Sequence, residues 1–201
     1  MSAAGAILLK LSTGTPWSTE HADRLGRFAD ACPSDCTGVA AYAALENGEV
    51  YAYISFRGPT IDAAASDRIA RAFAPGQSTS VRASRLDLIF DAPGASRGED
   101  APFHYVVETD VAPEHEADLN AWYDTEHMPG LAGCPGSARA RRFRNPEGSP
   151  RYHACYDLVR AETLGSAPWL AVRHTPWSDR VRPHFRHTRR TMFRRLFEIQ
   201  L

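Results

Sequence analysis

One stretch of the sequence, from Asn120 to Leu131, concentrates side chains that could carry out acid/base chemistry. It predicts a helix on which Tyr123 and His127, four residues apart, share a face. Asp124 lies three residues before His127 and could also meet it. An imidazole near a carboxylate and a phenol can take up and release a proton close to neutral pH. We therefore predict His127, Tyr123 and Asp124 as catalytic residues.

The predicted place of His127, in the last turn of this helix, leaves two roles open. Pro129 and Gly130 are expected to end the helix and turn the chain, so that His127 would lie at the rim of a pocket. There the helix dipole and Asp124 would both favour a protonated imidazole. A histidine near a helix C-terminus also commonly serves as a cap for free carbonyl groups. From the spacing alone, that structural role is the commoner one.

The elements that would position these side chains follow the same order in both halves of the chain. In the first half, the patterns predict strands over 5–11, 37–45, 50–56 and 81–90, and helices over 18–31 and 62–73. In the second half, they predict strands over 103–109, 137–144, 151–159 and 188–196, helices over 114–127 and 162–172, and a looser stretch over 175–183. Each half thus has the β-α-β-β-α-β order of a ferredoxin-like unit.

The repeat of this unit predicts how the whole chain is organised. A four-stranded sheet with helices on one face needs cover for its other face. We therefore predict an α+β fold in which two tandem ferredoxin-like units pack sheet to sheet as an α+β barrel. The first unit is expected over residues 1–95, and the second, which carries the site, over 103–201. The linker is placed at 96–102, where Ser, Gly, Pro and charged residues cluster.

Composition and charge exclude several classes of protein. The 201 residues are 43% apolar and 23% charged, which is ordinary for a globular protein, and the formal net charge of −1 argues against a nucleic-acid partner. No stretch approaches the roughly 20 apolar residues of a membrane span, so no membrane partner is expected. No secretory signal is recognised, which predicts a cytoplasmic location with reduced cysteines. A monomer and a homodimer are both compatible with the sequence.

The patterns that hold metal ions are weak in this chain. Cys32 and Cys36 are spaced as CxxxC and lack the second pair of a zinc ribbon. No HxxxH, HxH or HExxH pattern occurs. We therefore predict no metal site and rank a metal below acid/base chemistry.

An excess of arginine marks the late part of the chain. Its members are Arg180, Arg182, Arg186, Arg189, Arg190, Arg194 and Arg195. The favoured interpretation is a solvated strand face whose charges are paired. The alternative is that one or two of these arginines reach a pocket and hold an anionic substrate.

The predicted strand over 151–159 divides its side chains between two faces. Tyr156 belongs to an apolar face, and His153 to the other, which would point inward in a closed barrel. There His153 would be either a buried, hydrogen-bonded residue or a pocket group, and the structural role is slightly favoured. Trp169 lies beside the looser stretch, where it could line an aromatic pocket or serve in packing.

Four segments of the second half resemble the EthD-like branch of the dimeric α+β barrel superfamily. They are Asn120-Ala-Trp-Tyr-Asp-Thr-Glu-His-Met-Pro-Gly-Leu131, Pro135-Gly136, Arg142-Phe143 and Arg151-Tyr-His-Ala-Cys-Tyr-Asp-Leu158, within residues 103–172. The resemblance implies a small enzyme, such as a cyclase, dehydratase, isomerase or cofactor-free monooxygenase, that acts on phenols or polyketides. It also implies that the helix-end His127 is the acid/base. Some members bind haem through a histidine, so haem is an alternative to the predicted absence of a cofactor.

We therefore predict a small-molecule enzyme of the lyase or isomerase type, which transfers a proton on an aromatic or polyketide-like carbonyl compound. The predicted substrate-binding residues are Trp122, Glu126, Arg142, His153, Tyr156 and Trp169. One alternative is a cofactor-free or haem-assisted monooxygenase that acts on a phenol. Another, of a different class, is a non-catalytic protein that binds a small ligand, in which His127 only caps its helix.

Overall fold

The structure, a computed structural model, describes residues 5–12, 35–57 and 80–201. The helices predicted over 18–31 and 62–73, together with Cys32, lie outside the described residues. The cysteines that are described, Cys36, Cys134 and Cys155, are buried. No described helix is long and apolar enough to cross a membrane. The cytoplasmic location stays a prediction.

Eight strands are described, and all eight were predicted. They are β1 (Gly5–Ser12), β2 (Cys36–Ala44), β3 (Glu49–Phe56), β4 (Ser80–Pro93), β5 (Phe103–Val111), β6 (Ser137–Arg144), β7 (Tyr152–Leu158) and β8 (Phe185–Gln200). The described α-helices are α1 (Glu116–Trp122), α2 (Met128–Ala132), α3 (Ala167–Arg173) and α4 (Pro176–Val181). A π-helical turn, Tyr123–His127, joins α1 to α2.

The strands are hydrogen-bonded in the order β1-β3-β2-β8-β5-β7-β6-β4, and this order closes as an antiparallel barrel. In the first half of the chain the order is β4-β1-β3-β2. The corresponding strands of the second half have the same relative order, β8-β5-β7-β6. The predicted fold class, an α+β barrel built from two ferredoxin-like units, is confirmed.

The described chain divides into two compact units. The described residues of one unit fall within Met1–Leu88, Asn145–Glu147 and Phe193–Leu201, and those of the other within Ile89–Arg144 and Gly148–Met192. The long strands β4 and β8 therefore contribute residues to both units. The linker at 96–102 stays a prediction.

The first unit has its own apolar core, formed by alternate residues of neighbouring strands. Ile7 and Leu9 of β1 are fully buried, and in the register of β1 with β3, Leu9 lies opposite Ala52. Val39 and Ile54 join the same cluster. Because side chains on a strand alternate between its two faces, this period-two pattern places the cluster on one face of the sheet.

The second unit buries the predicted apolar face of β7 against its helices. Tyr156 and Leu158 belong to a cluster with Leu119 and Trp122 of α1 and Trp169 of α3. The other face of the same sheet carries polar groups. Its members include two pairs: His153 with Glu108, whose Nδ1 and Oε1 atoms are 3.4 Å apart, and His104 with Asp157, at 2.6 Å.

The helix that carries His127 does not end before Pro129, as predicted, but continues to Ala132. Proline is tolerated in the first turn of a helix. Because α2 begins directly after the π turn, Pro129 lies in the first turn of α2. Gly130 does not end the helix. A Cβ atom at Gly130 would lie 2.8 Å from Cγ1 of Val172, so the glycine lets α2 approach α3 closely.

The segment between β7 and β8 is also more regular than predicted. The looser stretch over 175–183 is instead α4, followed by a 3-10 turn over Arg182–His184. Thr175 caps α4, since its Oγ1 accepts from Ser178 N at 3.1 Å, and Pro176 starts the helix. The helix predicted over 162–172 is divided into a 3-10 turn and α3 around Gly165, which has a φ of +93°.

Candidate functional site

A cavity of about 30 Å³ lies in the second unit, beside His127. This volume holds on the order of two water molecules, and the cavity is partly open, so a larger ligand would extend out of it. Its wall is formed by Tyr105, Val107, Trp122, Tyr123, His127, Leu131, Tyr156, Trp169, Arg173, Arg182, Phe185 and Arg190. Aromatic rings and arginines thus dominate the wall, which suits a flat ligand that carries polar groups.

The structure brings together five of the nine predicted site residues at this cavity. They are His127, Tyr123, Trp122, Tyr156 and Trp169. The other four, Asp124, Glu126, Arg142 and His153, do not line it. His153 lies instead on the polar face of β7, where its Nε2 is 3.2 Å from the carbonyl oxygen of Pro150.

His127 is held in the cavity wall by aromatic rings. Its imidazole stacks on the indole of Trp122, with ring centroids 4.1 Å apart, and meets the ring of Tyr123 edge-on at 5.4 Å. Only 8% of the residue is exposed, and its Nδ1 atom is buried without a hydrogen-bond partner among the described residues. Such buried, unpaired polar atoms are rare in folded proteins, and one at a cavity wall is available to a ligand. The π turn that presents it is of a kind frequent at functional sites.

The environment keeps the His127 imidazole neutral. Burial lowers its pKa to about 3, and the positive charges of Arg173, Arg182 and Arg142 act in the same direction. The expected protonated imidazole is therefore wrong for this structure. Two physical reasons explain the difference: the helix continues past His127, and Asp124 pairs with Arg142, 3.3 Å away.

Tyr123 contributes a phenol that stays protonated. Burial raises the pKa of Tyr123 to about 12, so at neutral pH it is a neutral ring and not a base. Its ring lies 4.3 Å from the guanidinium carbon of Arg142. Tyr156 is also buried, and its hydroxyl donates to Sδ of Met128 at 3.1 Å.

Arg142 is buried behind the cavity wall and supports it. Its side chain is fully buried between the rings of Tyr123 and Tyr152, at 4.3 and 4.6 Å. Its Nη2 donates to Oδ1 of Asn120 at 2.7 Å, and its Nη1 donates to Oδ1 of Asp124 at 3.3 Å. Arg142 therefore fixes α1 and the π turn against β6.

Glu126 connects the π turn to the segment before α4. Its Oε1 accepts from Nε1 of Trp122 at 3.2 Å and from Oγ1 of Thr175 at 2.5 Å. The first bond fixes the indole on which His127 stacks. The second ties that indole to the loop from which α4 and the following turn continue toward Arg182.

Comparisons with known proteins were informative at the level of structure. No protein-family model and no curated protein matches the chain. The solved structures that are similar include a proposed monooxygenase from Fusobacterium nucleatum subsp. nucleatum, with a TM-score of 0.69, 9% identity and coverage of 99% of this chain and 95% of that one. The chain has the fold of the dimeric α+β barrel proteins. Other solved structures with this fold are a proposed monooxygenase from Lactobacillus acidophilus (TM-score 0.67, 12% identity, 99% of each chain) and an anthrone oxidase-like protein (0.62, 16%, 100% and 95%).

At identities this low, the structural similarity establishes only the α+β barrel fold. The activity must be argued from the site. Sequence reasoning missed several residues of the cavity wall. They are Tyr105, Val107, Leu131, Arg173 and Phe185. Tyr105 and Val107 alternate along β5, which was a usable signal, whereas nothing in the sequence places Arg173 near His127. Arg182 and Arg190 belong to the late arginines, for which a place in a pocket was the alternative interpretation.

The donor groups of the described residues determine whether a metal ion or a haem could bind. In the ranges 5–12, 35–57 and 80–201, no group of three or more His, Cys, Asp or Glu side chains could hold a metal ion. A haem iron needs an imidazole nitrogen that faces a space wide enough for the porphyrin. Nδ1 of His127 is buried beside a cavity of about 30 Å³, which does not admit a porphyrin plane against that nitrogen. The described wall therefore does not fit a haem.

Proposed function

We propose that this protein is a small-molecule enzyme that transfers a proton on an aromatic or polyketide-like carbonyl compound, with His127 as the acid/base. The observation that carries this proposal is the buried, neutral imidazole of His127, whose Nδ1 has no described partner, at an aromatic cavity. Cyclisation, dehydration and isomerisation all begin with removal of a proton next to a carbonyl group. The enzyme would therefore be a lyase or an isomerase, in keeping with the resemblance to the EthD-like branch.

The cavity wall suits such a reaction in two ways. The rings of Trp122, Tyr156 and Trp169 favour a flat, conjugated substrate that stacks beside the imidazole. Removal of a proton leaves an enolate, whose negative charge Arg173 and Arg182 would stabilise. The same negative charge would raise the pKa of His127 as the proton arrives, because it offsets the positive charges that lower it.

The other two predicted catalytic residues have different roles in this proposal. Tyr123 keeps its proton and meets the imidazole edge-on, so it positions His127. Asp124 pairs with Arg142 and is therefore a positioning residue, which acts through the guanidinium that lies over Tyr123.

Hydrogen–deuterium exchange at carbon tests the proposal without knowledge of the natural product. A panel of aromatic ketones and β-dicarbonyl compounds is incubated with the protein in D₂O, and exchange next to the carbonyl is followed by NMR. We expect His127→Gln to slow any catalysed exchange by roughly 10²- to 10⁴-fold. The matched control is His174→Gln, because His174 is exposed and does not line the cavity. Exchange that survives in His127→Gln at the wild-type rate contradicts the proposal.

A second candidate function is a cofactor-free monooxygenase. It is favoured by structural neighbours that are described as proposed monooxygenases and as an anthrone oxidase-like protein. In this alternative the same deprotonated substrate would reduce O₂, so that a methylene group becomes a carbonyl group and the second oxygen atom leaves as water. Turnover that stops under anaerobic conditions would distinguish this candidate from proton transfer. Tight binding of phenolic compounds without any product would instead favour a binding protein.

A further inference from the structure

We infer that the ligand of this cavity is an aromatic carboxylate, which Arg173, Arg182 and Arg190 hold through its negative charge. The inference rests on the proposed function, because it names the class of substrate for the same cavity. It goes further in one respect: the ligand is an anion before any proton is removed.

Three elements bring these arginines to one wall. Arg173 ends α3, Arg182 lies in the turn after α4, and Arg190 belongs to β8. No carboxylate of the described residues forms an ion pair with any of the three. Two of the three are linked directly, since Nη1 of Arg182 donates to the carbonyl oxygen of Arg173 at 3.4 Å. The guanidinium groups thus line the cavity without a carboxylate in ion-pair contact, although the charge of Asp179 acts on Arg182 from a greater distance.

Other arginines of the same unit do pair with carboxylates. Arg180, two residues before Arg182, makes two bonds to the carboxylate of Asp118, at 2.8 and 3.0 Å. Arg139 does the same with Asp91, at 2.7 and 2.8 Å. Carboxylates of this unit therefore pair with some of its surface arginines, whereas no described carboxylate pairs with the three at the cavity.

Like charges on one cavity wall oppose each other, and partial burial strengthens the effect. Burial lowers the pKa of Arg182, and so do the nearby charges of Arg173 and Arg190. A bound anion would relieve this repulsion. A carboxylate suits the planar guanidinium fork, which can donate two parallel hydrogen bonds to its two oxygen atoms.

The number of charges favours a ligand that is already an anion. An enolate formed during the reaction would offset one positive charge, and two would remain unpaired. A carboxylate on the substrate offsets another in the ground state. Arg190 is exposed, so it lies where a carboxylate would enter from solvent.

A second, independent observation also points to a ligand. Trp169 is fully buried at the cavity wall, and its Nε1 has no hydrogen-bond partner among the residues that the structure describes. An indole N–H can only donate, so it needs an oxygen acceptor. With Nδ1 of His127, the wall therefore holds two buried polar atoms without partners next to three unpaired cations. An aromatic ring that carries oxygen substituents and a carboxylate satisfies all of them.

Isothermal titration with matched pairs of probes tests the inference. The pairs are benzoate with benzamide and naphthalene-2-carboxylate with naphthalene-2-carboxamide, which differ little in shape and fully in charge. We expect the carboxylate to bind at least about tenfold more tightly than the amide in one pair or both. Arg182→Met and Arg190→Met should each reduce that preference severalfold, since methionine keeps the apolar stem and removes the charge. Arg180→Met is the control, because Arg180 pairs with Asp118 away from the cavity, and it should leave the preference unchanged.

The outcomes separate this inference from the proposed function. Equal binding of carboxylates and amides overturns the inference, and so does a failure of all four probes to bind protein that is folded by circular dichroism. His127→Gln should abolish proton transfer and retain the preference for carboxylates. Retained preference together with normal exchange in His127→Gln would overturn the proposed function and leave the anion site in place.

Discussion

The indole of Trp122 lies nearly parallel to the imidazole of His127, with centroids 4.1 Å and planes 24° apart. Hydrogen bonds hold the indole of this stack in place. Nε1 of Trp122 donates to Oε1 of Glu126, which also accepts from Oγ1 of Thr175. Trp122 and Glu126, together with Thr175, thus determine where the imidazole of His127 faces. The precision of an acid/base group depends on such support.

Replacement of Glu126 should show this support in kinetics. Glu126→Ala removes the acceptor for both bonds, so Trp122 and the loop before α4 lose their common anchor. We expect kcat to fall by about tenfold or more, with a smaller change in KM. The substitution misplaces His127 but leaves the aromatic residues of the cavity wall in place. Steady-state kinetics on the substrate found by exchange provides the measurement.

Two variants control this prediction. Glu126→Gln keeps an oxygen acceptor and should retain most of the activity. Glu162→Ala removes an exposed carboxylate of a nearby turn and should have no effect. If Glu126→Ala and Glu162→Ala behave alike, Glu126 does not position the site.

The stability of the second unit should depend strongly on Arg142. Its guanidinium is fully buried between two tyrosine rings and bonded to Asn120. Arg142→Ala leaves a void there, and we expect the free energy of unfolding to fall by about 2–5 kcal/mol. Arg139→Ala breaks an exposed pair with Asp91 and should cost only about 0–1 kcal/mol. Urea unfolding of both variants checks the contrast, and similar losses would contradict it.

The neutral state of His127 predicts a pH dependence of stability. Its pKa is lowered from 6.5 to about 3 on folding, so between these values the unfolded state binds more protons. The stabilisation is complete above about pH 6.5 and is lost as the pH falls toward 3. His127→Gln should therefore lose less stability than the wild type between about pH 7 and about pH 4.5. Unfolding by urea at both pH values checks this, with His174→Gln as the control, and parallel losses would rule out a buried neutral His127.

The close contact of α2 with α3 can be tested at Gly130. Gly130→Ala would place a Cβ atom 2.8 Å from Cγ1 of Val172, and we expect a loss of about 1–3 kcal/mol. Gly133→Ala is the matched control, because its nearest neighbour would be 3.4 Å away, an ordinary contact distance. Val172→Ala should restore part of the stability in the double variant, as measured by a double-mutant cycle. Additive effects would show that the two residues do not clash.

Several features of the fold were predictable from local patterns. The eight strands were found because β-branched and aromatic residues alternate between turn residues, as in β7, where Tyr156 and Leu158 face the helices. The same order of elements in both halves predicted two ferredoxin-like units. The helix α4, Pro176–Val181, was missed, although Thr175 followed by Pro176 is a usual start signal. The stop at Pro129 was wrong because a π turn before it, which no local pattern indicates, lets the helix resume.

The sequence by itself determined which side chains share a helix face and a strand face, since these depend on periods of 3.6 and 2 residues. It therefore placed His127 with Tyr123, and Tyr156 on an apolar face. Only the tertiary structure decided what surrounds them. It directed Asp124 toward Arg142, buried His127 in its neutral form, and brought Arg173, Arg182 and Arg190 from three elements to one cavity. Contacts between distant segments and the burial that shifts a pKa arise from packing, which local spacing does not encode.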